Sequence, residues 1–239
     1  AKRNNVVVSY TPDAPAPAVS ELTIGLMLTL LRSVHVANMK MHKGEWHRYF
    51  GRRLSESTVG IIGMGRIGIG VLKHLAGFNC NRILVNDINI EARMDGGMKV
   101  EWVEKDVIYR EADIISLHVP LTVKTKNMIK QKELRIMKSN AIIINTSRGG
   151  IINEKDLYNT MKEGHLAGAS IDVFESEPYK GELSEIERCL LTSHMGSMSE
   201  DCRSRMEIEA TEEVLRYIAD ENLEGVVPDL EYIVQQEGL

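Results

Sequence analysis

Most of what would send this 239-residue chain to a nucleic acid, a membrane or an oxidising compartment is missing from it. It has only three cysteines, Cys80, Cys189 and Cys202, an odd number set far apart with no CxxC spacing. A secreted disulfide framework is therefore not indicated, and a reducing cytoplasm is the expected location. Long hydrophobic runs are lacking too. The most apolar segment, Ile24 to Leu31, is far short of the roughly 20 residues a membrane span needs, and no signal-type pattern precedes it, so no membrane partner is expected. Nor is there an excess of one charge. With 29 basic and 34 acidic residues well mixed, net −5, the chain has no basic stripe, which argues against nucleic acid and leaves small molecules and protein chains as partners. No internal repeat or low-complexity tract interrupts it.

What is present is enough for a substantial core: 43% of the residues are hydrophobic. After a Pro-rich entry (Pro12, Pro15, Pro17), a helical pattern runs from Val19 to Met41, with Leu22, Leu26, Leu30 and Val34 on one stripe and Met27 and Leu31 widening it. A helix with so wide an apolar face packs in a core or between subunits. Beyond Trp46, β-type and helical runs alternate. Strands are expected at Thr58 to Ile62, Arg82 to Val85, Ile114 to Leu117, Ala141 to Ile144, Ala167 to Ile171 and Leu190 to Thr192. Helices are expected from Arg66, near Val103 to Glu111, at Gln131 to Met137 and at Glu154 to Glu163, with a last one from about Ser199 to Tyr217. This series predicts an α/β fold, a Rossmann-type doubly wound parallel sheet with a long N-terminal helix and a C-terminal helix. The tail from Glu224 to Leu239 carries no readable motif.

Between the first strand and the helix that follows lies a GxGxxG formed by Gly63, Gly65 and Gly68. The first glycine permits a tight turn, the second lets backbone approach a pyrophosphate, and the third packs helix on strand, which aims the helix N-terminus at the phosphates. Asp87 closes the next strand at about the 20-residue offset where a carboxylate bonds an adenosine ribose, favouring NAD over NADP. The dull alternatives are a structural glycine turn and a turn aspartate.

Three groups that could carry chemistry follow three later strands: Arg148 in NTSRGG, Glu177, and His194. In a parallel sheet they converge on one edge. A histidine can exchange a hydroxyl proton near neutrality, a carboxylate beside it fixes its tautomer, and a guanidinium grips a carboxylate bidentately. Together they fit oxidation of a 2-hydroxy acid, with His194 as base, Glu177 behind it and Arg148 on the substrate carboxylate. Singly, each has an ordinary reading as a loop histidine, a solvated glutamate beside Glu175 and a strand-capping arginine. His35, His42 and His47 lack HExxH spacing, so no metal is expected, and Ser147 has no GxSxG elbow around it.

The blocks SYTPDAPAPAVSELTIGLMLTLLR, VGIIGMGRIG, LHVPLT, NTSRGGIINEKDL, HLAGASIDVFESEP and TSHMGS, in this order, resemble the D-isomer-specific 2-hydroxyacid dehydrogenases, especially their phosphoglycerate dehydrogenase-like members. The likeness runs from Ala1 to about Val227. It implies that Arg148, Glu177 and His194 match the family's catalytic arginine, glutamate and histidine. It further implies that Thr11, the glycine loop with Arg66 and Ile67, Asp87, Pro120, Thr146, Ser147, Arg148, Asp172 and the loop of His194, Gly196 and Ser197 contact NAD, with Asp172 on the nicotinamide carboxamide. A 2-hydroxy or 2-oxo acid is the implied substrate, 3-phosphoglycerate among the candidates. A homodimer joined through the long helix is the implied assembly. Ser193 and Val119 depart from the family pattern, which usually has proline at the first and in some relatives threonine at the second. Family chains also begin with the first half of a substrate domain, which is expected to be ending where Ala1 falls. On this likeness residues 1–18 are a linker to that domain, 19–198 the NAD-binding unit, and 199–239 a helix and tail returning toward it. The alternative is a non-catalytic NAD-binding dimerisation module of the corepressor kind.

Overall fold

A computed structural model describes residues 1, 4, 6–89 and 100–228; the end of the motif-free tail lies outside the described residues. Seven strands, β1 (Thr58–Ile62), β2 (Arg82–Asn86), β3 (Glu101–Trp102), β4 (Ile114–Leu117), β5 (Ile142–Asn145), β6 (Gly168–Ile171) and β7 (Cys189–Leu191), form one sheet in the order β3-β2-β1-β4-β5-β6-β7. Every pairing is parallel. The chain leaves β1 in one direction to β2 and returns to β4 on the other side, so the strand order switches between β1 and β4 and a crevice opens there at the carboxyl ends.

The strands are apolar almost without interruption because both faces are covered. Successive residues feed two cores: Val59, Ile61, Ile114, Ile142 and Ile144 pack with α1 (Ala16–Leu31) and α3 (Arg66–Leu75). Ile62, Ile115, Leu117 and Ile143 pack with α4 (Lys105–Glu111), α5 (Gln131–Ile136) and α6 (Glu154–Lys162). The last helix, α7 (Glu200–Ile218), is capped by the Ser199 hydroxyl, which accepts the Cys202 N–H. It buries only Cys202 and Glu213.

Two expectations are corrected. The single helix from Val19 to Met41 is two, α1 and α2 (Val34–His42), bent by 66° at a break. Ser33 there is left-handed at φ 51°, and the Arg52 N–H takes the Leu31 carbonyl at 3.1 Å, an acceptor that a continuing helix would need. No single described helix is long and apolar enough to cross a membrane. The two-residue strand β3 was not anticipated, being too short to show a period. The other strands and α-helices begin or end within a residue or two of their predicted limits, and short 3-10 turns, Leu54–Glu56, Ala76–Phe78 and Glu182–Glu185, join them unpredicted.

In the loop after β1, Gly63 sits at φ +98°, and a Cβ there would lie 2.4 Å from the His118 carbonyl oxygen. A Cβ on Gly68 would meet the Gly63 carbonyl oxygen at 2.0 Å, whereas one on Gly65 would meet nothing within 4 Å. Because backbone cannot yield as a side-chain tip can, Gly68→Ala should lose about 1–3 kcal/mol of stability. Gly65→Ala should lose less, and urea melts of the two variants against wild type check the ordering.

Candidate active site at the carboxyl edge of the sheet

The glycine loop turns from β1 into α3, and Gly65 is the residue before its first turn. The amides of Arg66, Ile67 and Gly68 begin the helix, where the first N–H groups have no intrahelical acceptor. Space at Gly65 therefore faces unpaired donors and a helix N-terminus, an arrangement that accepts a pyrophosphate. Asp87, just past β2, lies beside the same loop: its Oδ2 accepts the Met64 N–H at 2.5 Å and its Oδ1 the Asn89 N–H at 2.8 Å. These residues fit a dinucleotide, Gly65 by space, Gly63 and Gly68 by shaping the turn, and the carboxylate by position. Pro120, exposed after β4, begins the turn in which Thr125 donates to the Pro120 carbonyl.

The NTSRGG loop leaves β5 held by its own side chains. The Asn145 carboxamide oxygen accepts from the Ser147 amide at 3.1 Å and the Ser147 hydroxyl at 2.7 Å, while its nitrogen donates to the Arg148 carbonyl at 2.9 Å. Thr146 is buried against Thr23 of α1, hydroxyl to hydroxyl at 3.0 Å. Arg148 folds back to donate to the Ser147 carbonyl at 2.6 Å, and its charge is near enough to Glu177 to help hold that carboxyl down. A Cβ on Gly149 would fall 1.9 Å from the Phe174 carbonyl oxygen, so glycine is what lets this loop lie against the one after β6.

Glu177 and His194 come together as their strand order requires. Glu177 Oε2 lies 2.8 Å from His194 Nδ1, and its Oε1 accepts the Phe174 N–H at 3.0 Å. The hydrogen bond from His194 is the largest of the effects that hold the Glu177 carboxyl below the usual carboxylate range. With Nδ1 engaged, Nε2 is the ring nitrogen left to face a ligand, on a side chain half-exposed to solvent. A second histidine at this edge, His118, differs: burial pushes it down to about 4, its Nε2 is 2.8 Å from the Ser116 hydroxyl and its Nδ1 is buried without a partner. Burial thus keeps the His118 ring neutral near neutrality.

Behind the dyad is Asp172, fully buried at 0% exposure. Its Oδ1 accepts the Thr192 hydroxyl at 2.6 Å and the Met195 N–H at 2.9 Å, its Oδ2 the Gly196 N–H at 3.0 Å, and its backbone carbonyl the His194 N–H at 2.8 Å. The carboxylate that the resemblance assigns to the nicotinamide accepts these bonds from its own chain. His194 has φ 50°, a left-handed conformation uncommon outside glycine, held by that set of bonds. Thr192 and Asn145 are working parts to which sequence reasoning gave no role, although each is the first residue of a quoted block, TSHMGS and NTSRGG. Beside the dyad is an open, largely apolar hollow of about 780 Å³ lined by Phe174, Pro178, Tyr179, Leu191 and Met195. Thr11 and Arg66 line a separate one of about 620 Å³ between α7 and the start of α3. Among the described residues no cluster of His, Cys, Asp and Glu could hold a metal ion.

Residues 24–196 match the family described as D-isomer specific 2-hydroxyacid dehydrogenase, NAD binding domain. The D-3-phosphoglycerate dehydrogenase of Methanocaldococcus jannaschii is 38% identical over 95% of this chain and 44% of its own length. The glyoxylate reductase of Thermococcus litoralis is 36% identical over 86% of this chain and 65% of its own. Among solved structures, a glyoxylate reductase from Paecilomyes thermophila superposes with a TM-score of 0.87 at 30% identity, covering 96% of this chain and 70% of that one. The chain thus spans about half to two thirds of the two curated relatives' lengths.

Asp172→Asn keeps the volume but turns an amide nitrogen toward backbone donors. It should cost about 1.5–3 kcal/mol, the worth of hydrogen bonds to a charged group. Urea denaturation measures the loss, and a change below about 0.5 kcal/mol would mean that the loop is held by something else.

Proposed function

Since the chain belongs to the D-isomer-specific 2-hydroxyacid dehydrogenases, we propose that it supplies the nucleotide-binding and acid–base machinery of an enzyme that moves a hydride between a 2-hydroxy acid and NAD. The observation that carries this reading is the His194–Glu177 pair at 2.8 Å, at the same sheet edge as the open glycine loop. When bound, the nicotinamide ring accepts or gives the hydride. The protein's own groups do the rest. In the oxidative direction His194 Nε2 takes the proton of the C2 hydroxyl, and the Glu177 carboxylate stabilises the imidazolium that forms. Arg148, released from the Ser147 carbonyl, grips the substrate carboxylate and polarises the C2 oxygen. In reduction the steps reverse and His194 is the acid. Asp87 beside the glycine loop supports NAD rather than NADP, since a 2′-phosphate would meet its negative charge.

The relatives' names, D-3-phosphoglycerate dehydrogenase and glyoxylate reductase, share an oxygenated carbon beside a carboxylate, the part that Arg148 and His194 would read. Substrates of that kind, 3-phosphoglycerate among them, are the candidates. Residues 19–198 would form the NAD-binding unit, with 1–18 and 199–239 belonging to the substrate side. The pairing of Ser9 with Val226 supports that division by putting both segments in one place. A homodimer is the assembly we favour, because the arm after α2 leaves Trp46 79% and Phe50 105% exposed beside Met39 and Met41.

NADH consumption with glyoxylate, pyruvate, hydroxypyruvate and phosphohydroxypyruvate tests the reading, after NADH binding is measured. His194→Ala should lower turnover by about 10²–10⁴-fold while NADH affinity changes less than about two-fold. Full turnover in that variant would remove His194 from the chemistry, and NADH binding without turnover in the wild type would favour a binding module. Replacing Trp46 and Phe50 by serine should convert a dimer to monomer in sedimentation equilibrium; a monomeric wild type would refute the dimer.

A further inference from the structure

Arg66 stands at the first turn of α3, next to the open space at Gly65, yet its guanidinium does not face that space freely. Its Nε donates to Asp13 Oδ1 at 2.5 Å, and it also meets the Tyr10 hydroxyl. Asp13 lies on the segment that enters α1. Three residues earlier that segment is half of a two-stranded ribbon: the Tyr10 N–H donates to the Gly225 carbonyl at 2.9 Å and the Val227 N–H to the Val8 carbonyl at 3.0 Å. The ribbon is tied in turn to α7. Glu213, buried there, accepts the N–H groups of Glu224 and Gly225, both at 3.0 Å, and pairs with Arg216. Of the ion pairs around this hollow, Arg205 with Glu209 and Arg216 with Glu213 and Glu224 stay within α7 and its following turn. Among the ion pairs of the described residues, Asp13–Arg66 is the one that joins the ribbon's side to the nucleotide loop, and the Tyr10 hydroxyl meets the same guanidinium.

An anion seated at Gly65 and the α3 N-terminus would draw the same guanidinium. One arginine then has two anionic claimants, a carboxylate and a pyrophosphate, and both of its present partners belong to the N-terminal segment. Resting on the dinucleotide reading above, we propose that Asp13 is an internal competitor for Arg66: it holds the side chain in the free protein, and a dinucleotide pyrophosphate takes it over. Filling the nucleotide loop then releases Asp13, and the ribbon loses its tie to α3. Occupancy of one site is passed to the pairing of the two segments through a single exchanged charge partner. Because the pair is largely exposed, the expected effect is modest rather than all-or-none.

The test is a titration of NADH into wild type, Asp13→Asn, Arg66→Gln and the double variant, with hydrogen exchange of the Tyr10 and Val227 amides followed alongside. Asp13→Asn should tighten NADH binding about two- to five-fold, Arg66→Gln should weaken it, and Asp13→Asn should have no effect once Arg66 is gone. The two ribbon amides should exchange faster in ligand-free Asp13→Asn than in wild type, and faster in wild type with NADH than without. Unchanged or weaker NADH binding by Asp13→Asn overturns the competition, and unchanged ribbon exchange overturns the link to the segments. Failure of the wild type itself to bind NADH overturns the dinucleotide reading, and the exchange of partners with it. That outcome is distinct from equal binding by wild type and Asp13→Asn, which sinks the competition alone.

Discussion

The geometry of this edge of the sheet depends on one inward-turned carboxylate. Asp172, at the end of β6 and out of contact with water, gathers the Thr192 hydroxyl and the amides of Met195 and Gly196, while its own carbonyl takes the amide of His194. Three successive amides thus point at one residue, and a left-handed histidine is the result. A buried carboxylate is costly unless such donors are arranged around it. The arrangement runs in both directions: the loop satisfies the charge, and the charge fixes the loop. His194 then has little choice of direction, and Glu177, itself bound to the Phe174 amide, meets its Nδ1.

The sheet provides the platform for this. Parallel strands bring the loops after β1, β5, β6 and β7 to one edge, and the reversal between β1 and β4 opens the crevice there. Two cores of apolar side chains, one on each face, keep the strands from shifting, so groups 46 residues apart in sequence, Arg148 and His194, share one edge. The glycines at this edge act by close approach: Gly68 against Gly63 and Gly149 against Phe174 leave no room for a Cβ, whereas Gly65 does. The crowded glycines shape the loops and the uncrowded one leaves room for a ligand.

Where sequence and structure part, the reason lies in distant residues. The stripe Leu26, Leu30, Val34 runs without a gap across the end of α1, so nothing local announces a stop. The helix ends because chain returning twenty residues later claims the Leu31 carbonyl through Arg52, and a Cβ on Gly51 would come within 2.4 Å of that oxygen. β3 is two residues long, below any period, and exists because β2 offers it an edge. The role of Thr192 was hidden for a related reason, since a threonine before a histidine says nothing until a buried aspartate twenty residues earlier is found facing it.

By itself, the sequence determined the order of strands and helices, the parallel sheet, the glycine loop and the candidacy of Arg148, Glu177 and His194. These follow from local periodicity, turn chemistry and the rule that parallel strands collect their following loops at one edge. The tertiary structure alone decided that His194 Nδ1 faces Glu177, that Asp172 turns inward and that Arg148 rests on its own loop. It also decided that α1 stops at Leu31 and that Arg66 is held by Asp13. Each of these is a choice of hydrogen-bond or charge partner among several within reach. Such choices depend on which donors and acceptors the packed core brings together from segments far apart in the chain, and no local pattern records them.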